Sequence, residues 1–292
     1  MLAPASRITH CERKFLYQDD MLPLSESGDN NYFTGIFRQS NAKAVAMRLT
    51  IATTSESRVE AVAQRLCLIA GPVTLIGFAI GAIPIGHFVP PFIAPGDTAT
   101  QVAAQYAEHA TRIRWGAMVA MISLSMLTPW GIAVAVQTRR FGGRSQTLSY
   151  LQIACAAIST TIIVFMCMFW AIPAFRPGDV PPDIVRALND IAYFLIVWPY
   201  FPFTIWVLAV GLAVLLDSSK NPVFPRWVGY FSVWNAISYL PAGFMVFFHG
   251  GPIAWNGALA LYIPLASFFT WMVIVTFYGF HNLSRAIDGP PS

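Results

Sequence analysis

The sequence predicts an all-α membrane protein, a six-helix transmembrane bundle built from three parallel-repeat helical hairpins. Membrane insertion follows from composition, since 56% of the 292 residues are hydrophobic and only 11% are charged, against about 25% charged residues in soluble domains. The repeat follows from one long stretch that occurs twice. Residues 157–173, AISTTIIVFMCMFWAIP, recur as residues 236–252, AISYLPAGFMVFFHGGP.

Six apolar runs make up the predicted spans, and none contains Asp, Glu, Lys or Arg. They cover residues 66–88, 115–137, 148–172, 191–216, 228–248 and 257–280. Each reaches the roughly 20 residues that a helix needs to cross a bilayer. Helices are predicted because backbone polar groups in lipid must be satisfied within the segment, and these runs are too long for barrel strands.

The chain divides into three predicted parts. Residues 1–65 form a polar, disordered N-terminal segment, residues 66–284 the transmembrane domain, and residues 285–292 a short cytoplasmic tail. The first part holds eight Lys/Arg and seven Asp/Glu without a long apolar run, a composition typical of disorder. A polar leader after Met47 runs directly into the first span, so we interpret Met47, or Met21, as the translation start.

The orientation is predicted from the Lys/Arg content of the short loops, which is higher on the cytoplasmic side. Eight of these residues flank one membrane face and four the other. The eight are Arg58, Arg65, Arg139, Arg140, Arg144, Lys220, Arg226 and Arg285, and the four are Arg112, Arg114, Arg176 and Arg186. We therefore expect both termini in the cytoplasm.

The first two outer loops share the motif Pro-Gly-Asp, at residues 95–97 and 177–179. Each Asp is expected to cap a short amphipathic helix that lies at the outer surface. The expected stripes are Val102, Tyr106 and Ala110 in the first helix, and Ile184, Leu188 and Ala192 in the second.

Prolines occur within most spans, where they kink helices. They indicate either packing kinks or a cavity, for which residues 198–202, WPYFP, are best placed. Pro241 has Ile162 as its counterpart in the earlier copy, so a bend is predicted in the fifth span and not in the third. Gly77 and Gly81 form a small-residue face that predicts close helix packing inside the bundle.

Deep aromatic residues supply a candidate ligand pocket. Its candidate lining residues are Trp198, Trp206, Trp234, Asn235 and Trp271. Their simpler interpretation is ordinary packing, and Asn235 is placed to hydrogen-bond between helices. The leading functional hypothesis is a non-enzymatic protein that binds or passes an apolar or amphipathic small molecule.

A candidate metal site lies at the predicted outer face. It comprises His87, Glu108, His109 and His249, because histidine and carboxylate side chains together bind Zn, Cu or Fe. Their simpler interpretation is a set of interfacial residues. A metal or haem at this place would make the protein an oxidoreductase or its subunit, which is the second hypothesis; no other cofactor is predicted.

Other classes are disfavoured. The sequence has no nucleotide-binding or hydrolase motif, and its charge-free spans offer no proton or sodium relay. The net charge of +4 comes without a Lys/Arg cluster, which argues against nucleic-acid binding. A third hypothesis remains, an accessory subunit that holds a membrane-protein partner.

Two motifs in the last third resemble those of a known group of proteins. Residues 225–230, PRWVGY, and 251–257, GPIAWNG, are similar to an uncharacterised family of bacterial six-span membrane proteins, common in actinobacteria. The resemblance covers the other spans loosely. It implies the fold class and a bacterial plasma membrane, and it brings no established activity.

The predicted topology is tested by reporter fusions. Fusions after Gln137, after Asp217 and at the C-terminus should report cytoplasm, because each follows a span that returns inward. Fusions near Thr100 and Asp183 should report the outside. The reverse pattern would contradict the orientation.

Overall fold

A computed structural model describes residues 59–142, 146–219 and 222–288 of the chain. These residues belong to one compact unit, Val59–Ser292, and within them every regular element is a helix. Most of the predicted N-terminal segment, residues 1–58, lies outside the described residues, as do both candidate start methionines. Residues 59–65 are described, and they already belong to the first helix.

Eight α-helices make up the described part of the chain. Their bounds are α1 Val59–Ile85, α2 Ala99–Ser125, α3 Leu127–Gly142, α4 Gln146–Phe175, α5 Pro182–Val197, α6 Tyr200–Leu215, α7 Arg226–Ser238 and α8 Ile263–Asp288. Helix α1 ends in a π-helical turn, Gly81–Ile85. A 3-10 helix, Leu240–Phe247, follows α7, and a π-helical turn, Ala258–Tyr262, precedes α8.

Five helical segments are long and apolar enough to cross a membrane. They are Val59–Ile85, Ala99–Arg139, Gln146–Phe175, Pro182–Leu215 and Ala258–Ser284. The second joins α2 to α3 across Met126, and the fourth joins α5 to α6 across Trp198 and Pro199. These five correspond to the first four and the last of the predicted spans, so the protein is an all-helical membrane-type fold.

The fifth predicted span, residues 228–248, is not one continuous α-helix. The 13-residue α7 stops at Ser238, and the 8-residue 3-10 helix begins at Leu240 with Pro241 in its first turn. The prediction of a bend at Pro241 is confirmed, as is the prediction that the third span stays continuous. The physical reason is that proline lacks the N–H for the helical bond and its ring clashes with the preceding turn.

This interrupted segment nevertheless runs beside two long helices. A Cβ on Gly211 of α6 would lie 2.9 Å from Ser232 of α7, and one on Gly243 would lie 2.7 Å from the Tyr200 hydroxyl. The order of these contacts shows that the segment is antiparallel to α6. On its other side, the hydroxyls of Ser238 and Ser267 are 3.3 Å apart, which joins the segment to α8.

Helix α4 lies at the centre of the bundle, where it packs against α2, α3, α5 and α6. The Ser149 hydroxyl donates to the Ala135 carbonyl, and one turn earlier in α3 a Cβ on Gly131 would touch Ala156, which lies later in α4. The two helices are therefore antiparallel. Small side chains therefore let the two backbones approach closely.

The outer loops differ from the prediction. No separate surface helix precedes the second span, since α2 runs unbroken from Ala99, and its cap is the Thr98 side chain in a capping box with Gln101. The Asp97 carboxylate instead accepts a bond from the Ala94 N–H at 2.7 Å. The first expected stripe, Val102, Tyr106 and Ala110, is buried. In α5 the buried face is displaced to Val185, Asn189, Ala192 and Tyr193, leaving Ile184 half exposed.

The two copies of the repeat share burial but not backbone. Met166 and Met245 are both buried, and Phe165 and Phe244 are both exposed to about half or more. The first copy is continuous α-helix, whereas the second contains the break at Pro241. Similar sequences therefore adopt different helices, and the three-hairpin repeat stays a prediction.

The small-residue face on α1 packs inside the bundle, as predicted. A Cβ on Gly77 would lie 2.5 Å from the Ser123 Cβ, and one on Gly81 would lie 2.8 Å from the Ala120 nitrogen. On the facing helix, a Cβ on Gly116 would lie 2.4 Å from the Gly86 Cα and 2.8 Å from the Gly81 carbonyl oxygen. These neighbours are backbone atoms, so they cannot move aside cheaply.

The substitution Gly116→Ala tests this contact. Gly-to-Ala in a helix interior ordinarily stabilises by about 1 kcal/mol; here we expect the opposite sign, a loss of about 1–3 kcal/mol, because the methyl group overpacks the α1–α2 interface. Chemical unfolding in mixed micelles measures the change. Gly96→Ala is the control, since nothing lies within 4 Å of its added Cβ. A stabilised Gly116→Ala variant would contradict the close approach.

Candidate functional site

A cavity of about 90 Å³ lies inside the bundle, at the level where the helices are interrupted. Leu124 and Leu127 line it from either side of the α2–α3 break, and Val197 and Tyr200 from either side of the α5–α6 break. Tyr239 lines it at the end of α7. Other lining residues include Ala242 of the 3-10 helix and Ala260 and Leu261 of the π-helical turn.

Prolines explain why these interruptions occur together. Pro129 follows the α2–α3 break closely, and Pro199, Pro241 and Pro264 lie at or beside the other three. Each lacks a backbone N–H and disturbs the turn before it. Broken helices do not fill space as continuous ones do, so the cavity is a consequence of the proline positions. The sequence-based hypothesis of a cavity at residues 198–202 agrees with the presence of Tyr200 in its wall.

The two copies of the repeat face each other across this cavity. Ile163 and Met166 of the first copy line one side, and Tyr239 and Ala242 of the second copy line another. Ile163 and Ala242 are equivalent positions of the repeated stretch. The continuous copy and the broken copy therefore supply opposing walls of one site.

The cavity wall is almost wholly apolar, and none of the described residues that line it is Asp, Glu, Lys, Arg or His. Its polar side chains are Thr74, Tyr200 and Tyr239. The Thr74 hydroxyl is already used, because it donates to the Ala70 carbonyl at 2.8 Å. The Tyr239 residue is only 3% exposed, and its hydroxyl makes no hydrogen bond of good geometry among the described residues, although the Asn235 and Ser267 side chains lie close to it. Tyr200 and Tyr239 thus bring hydroxyl groups to the cavity, and of the two Tyr239 is the more deeply buried.

Asn235 adds a second poorly satisfied polar group one helical turn from Tyr239. It is fully buried, and its amide makes no hydrogen bond of good geometry among the described residues, although it lies close to the Tyr239 hydroxyl. Within a membrane protein poorly satisfied polar groups are costly, because the surroundings hold no water to satisfy them. Tyr239, unlike Asn235, lines the cavity, where a ligand or an ordered water can complete its hydrogen bonds.

Two of the predicted pocket residues, Trp206 and Trp271, are fully buried next to the cavity but do not line it. They pack edge to face with Trp130, at centroid distances of 5.8 Å and 5.6 Å. Phe268, which lines the cavity, contacts both at 6.2 Å and 5.8 Å. We call Trp130, Trp206 and Trp271 the tryptophan cluster; it supports the cavity wall from behind.

The other predicted tryptophans lie at the surface. Trp198 and Trp234 are 49% and 53% exposed, on faces that lipid would cover. The Trp198 indole nitrogen donates to the Gly243 carbonyl at 3.4 Å. Neither tryptophan lines the cavity, so a ligand-binding role for these two has no support from the geometry.

The candidate metal residues do not come together as a cluster. Within residues 59–142, 146–219 and 222–288, no group of three or more His, Cys, Asp or Glu side chains is arranged to hold a metal ion. His87 follows the π-helical turn of α1 with a left-handed backbone at φ 54°. The His109 ring lies edge-on to Phe92 at 6.0 Å. The metal hypothesis for His87, Glu108, His109 and His249 gains nothing from their positions.

Asn235, the polar member of the predicted pocket, is buried but does not line the cavity, and sequence reasoning missed Tyr239, which brings a hydroxyl to the cavity. A signal was present, because Tyr239 stands two residues before the helix-breaking Pro241. Sequence reasoning also missed a run of stacked rings near the C-terminal ends of α1 and α4. Phe88 stacks on Trp170 and Tyr193 on Trp255, each at 3.9 Å. The Tyr106 hydroxyl, in the same region, donates to Asn189 at 3.1 Å.

Comparison with known proteins gives no match: no family model, no curated protein and no solved structure matches this chain. The resemblance to a bacterial six-span family therefore stays a prediction, and the functional argument depends on the geometry alone.

The tryptophan cluster gives a test of how the site is held. The Trp130 indole nitrogen donates to the Thr276 hydroxyl at 2.8 Å, joining α3 to α8. Thr276→Val removes the acceptor and leaves a buried N–H unpaired, so the free energy of unfolding should fall by about 1–3 kcal/mol. Thr270→Val on the same helix is the control, since its exposed hydroxyl bonds only its own helix. Equal effects of both substitutions would contradict a special role for Thr276.

Proposed function

We propose that this chain is a multi-pass protein of the bacterial plasma membrane that binds or passes a small, uncharged, mainly apolar molecule. The molecule lies in the cavity between the two copies of the repeat and offers one hydrogen-bonding group to Tyr239. The observation that carries this proposal is the buried Tyr239 side chain in an almost wholly apolar wall, because its hydroxyl makes no hydrogen bond of good geometry among the described residues.

The membrane topology in this proposal has six crossings with both termini in the cytoplasm. Its support is the antiparallel course of residues 226–247 between α6 and α8. The 13 residues of α7 would extend about 20 Å at 1.5 Å per residue, and the 8 residues of the 3-10 helix about 16 Å at 2.0 Å per residue. The combined length of the two helices exceeds the roughly 30 Å thickness of the hydrocarbon core.

The chemistry of the wall defines the ligand class. A charged ligand would lose its hydration in a cavity that offers no counter-charge, which is prohibitively costly. An apolar body gains by leaving water, and one hydroxyl or carbonyl group would satisfy Tyr239. The ligand is therefore neutral, with a single polar end.

The size of the cavity restricts the ligand further. A volume of about 90 Å³ is below the roughly 150 Å³ of an engineered apolar cavity that binds benzene. It suits a small molecule or the end of a longer one, and a ring the size of benzene requires the wall to adjust. Met166 in the wall is a side chain that adapts easily to a ligand's shape.

The two alternatives named from the sequence have no comparable observation in their favour. Neither a metal- or haem-dependent oxidoreductase nor an accessory subunit explains the poorly satisfied hydroxyl in the cavity. Binding of a neutral ligand does.

Phenol and benzene form a matched pair of probes for this proposal, because they differ by one hydroxyl. With protein in lipid nanodiscs, phenol should raise the unfolding temperature of the unmodified chain. Tyr239→Phe should weaken phenol binding about fivefold, the value of one hydrogen bond near 1 kcal/mol, and should leave benzene binding unchanged. Tyr230→Phe is the control, since that side chain is 63% exposed on α7.

Two outcomes would contradict the proposal. If neither probe binds the unmodified chain, the cavity is not a ligand site. If both bind but Tyr239→Phe treats phenol and benzene alike, the cavity binds apolar molecules without the Tyr239 hydrogen bond.

A further inference from the structure

A second concave site lies on the outside of the bundle, between α2 and α4. It is a groove of about 540 Å³ with an apolar lining and one charged residue, Arg114. Ala117 and Ala171 are the small residues of its lining, and Met118, Ile172 and Phe175 are large ones, each 41–65% exposed. Exposed apolar side chains on helices of this kind contact lipid chains rather than water.

The groove has a polar end and an apolar end. Arg114 and Phe175 lie at one end, and Met121 and Cys167 toward the other. Trp115, next to Arg114, is 57% exposed, as is typical of aromatic residues at the membrane interface. From Arg114 to Met121 the helix rises about 10 Å at 1.5 Å per residue, so the apolar part extends from the interface into one leaflet.

Two guanidinium groups lie at the polar end. Arg114 donates to the Ala110 carbonyl at 3.3 Å and to the Thr111 hydroxyl at 3.1 Å, both on the preceding turn of α2, so its head is directed away from the apolar end. The Arg176 guanidinium lies 5.6 Å from the centre of the Phe175 ring. Neither arginine forms an ion pair with a carboxylate of the described residues, where Arg186 pairs with Asp183.

We propose that this groove binds one anionic phospholipid. An acyl chain occupies the apolar part, and the phosphate lies between Arg114 and Arg176. Guanidinium groups suit this role because their planar N–H donors match phosphate oxygens in a bidentate way. Two cations outside any ion pair of the described residues favour a headgroup with net negative charge over a zwitterionic one. This site is separate from the internal cavity and does not depend on what the cavity binds.

The experiment uses the full chain in nanodiscs that contain equal amounts of phosphatidylglycerol and phosphatidylcholine. Native mass spectrometry of the released protein counts the lipids that stay bound. We expect the unmodified chain to retain phosphatidylglycerol preferentially. The double substitution Arg114→Gln with Arg176→Gln should reduce that preference about tenfold, given the strength of charge-assisted hydrogen bonds.

A second variant tests the groove without changing charge. Ala171→Leu places a larger side chain between the walls, so it should also reduce retention of phosphatidylglycerol. Arg226→Gln is the matched control, because Arg226 is exposed and lies at the start of α7, away from the groove. Circular dichroism identifies any variant that fails to fold. The conclusion then rests on the lipid retention of the variant that does fold.

Three results would overturn the proposal. The unmodified chain could retain both lipids equally, the double variant could retain as much phosphatidylglycerol as the unmodified chain, or Arg226→Gln could lower retention as much as the double variant. The last result would mean that surface charge in general, and not this groove, attracts the lipid.

Discussion

The absence of water in a bilayer is the constraint on which this structure depends, because each buried polar group must find its partner within the protein. Two members of the tryptophan cluster show how the constraint is met, whereas the indole nitrogen of the third, Trp206, has no partner among the described residues. Trp130 donates to Thr276, and Trp271 donates to Ser232 at 2.9 Å, so two indoles connect α3, α7 and α8 through hydrogen bonds as well as packing. These hydrogen bonds fix the helices in one arrangement, although the lipid around them is as apolar as their side chains.

The same constraint gives meaning to the groups that lack good hydrogen bonds. In a soluble protein an unpaired hydroxyl near a small cavity would be a minor feature, because water reaches most such places. Here Tyr239 and Asn235 are buried in an apolar bundle, and unsatisfied polar groups of this kind cost about 1–3 kcal/mol each. Both lie on the segment that breaks at Pro241, so this interrupted helix carries the strongest indication of binding.

The sequence was sufficient to predict the spans and their interruptions. It was not sufficient to predict which face of each helix is buried. Charge-free length identified the five long helices, and Pro241 identified the break that divides the fifth predicted span. Periodicity could not separate Trp206, which is buried, from Trp198, which faces outward. In a membrane both the bundle interior and the lipid-facing surface are apolar. A hydrophobic side chain therefore does not show which of the two it faces. Hydrogen-bond partners distinguish buried side chains from lipid-facing ones, but these partners come from segments that are distant in the sequence.

The two copies of the repeated stretch differ at one decisive position, Ile162 in the first and Pro241 in the second, and they adopt different backbones. With Ile162, the first copy continues as α4 and packs at the centre of the bundle. With Pro241 at the corresponding place, the second copy cannot continue as an α-helix, and its turn at Tyr239 lines the cavity that α4 bounds with Ile163 and Met166. The cavity is therefore lined by two related segments with different backbones, one continuous and one broken.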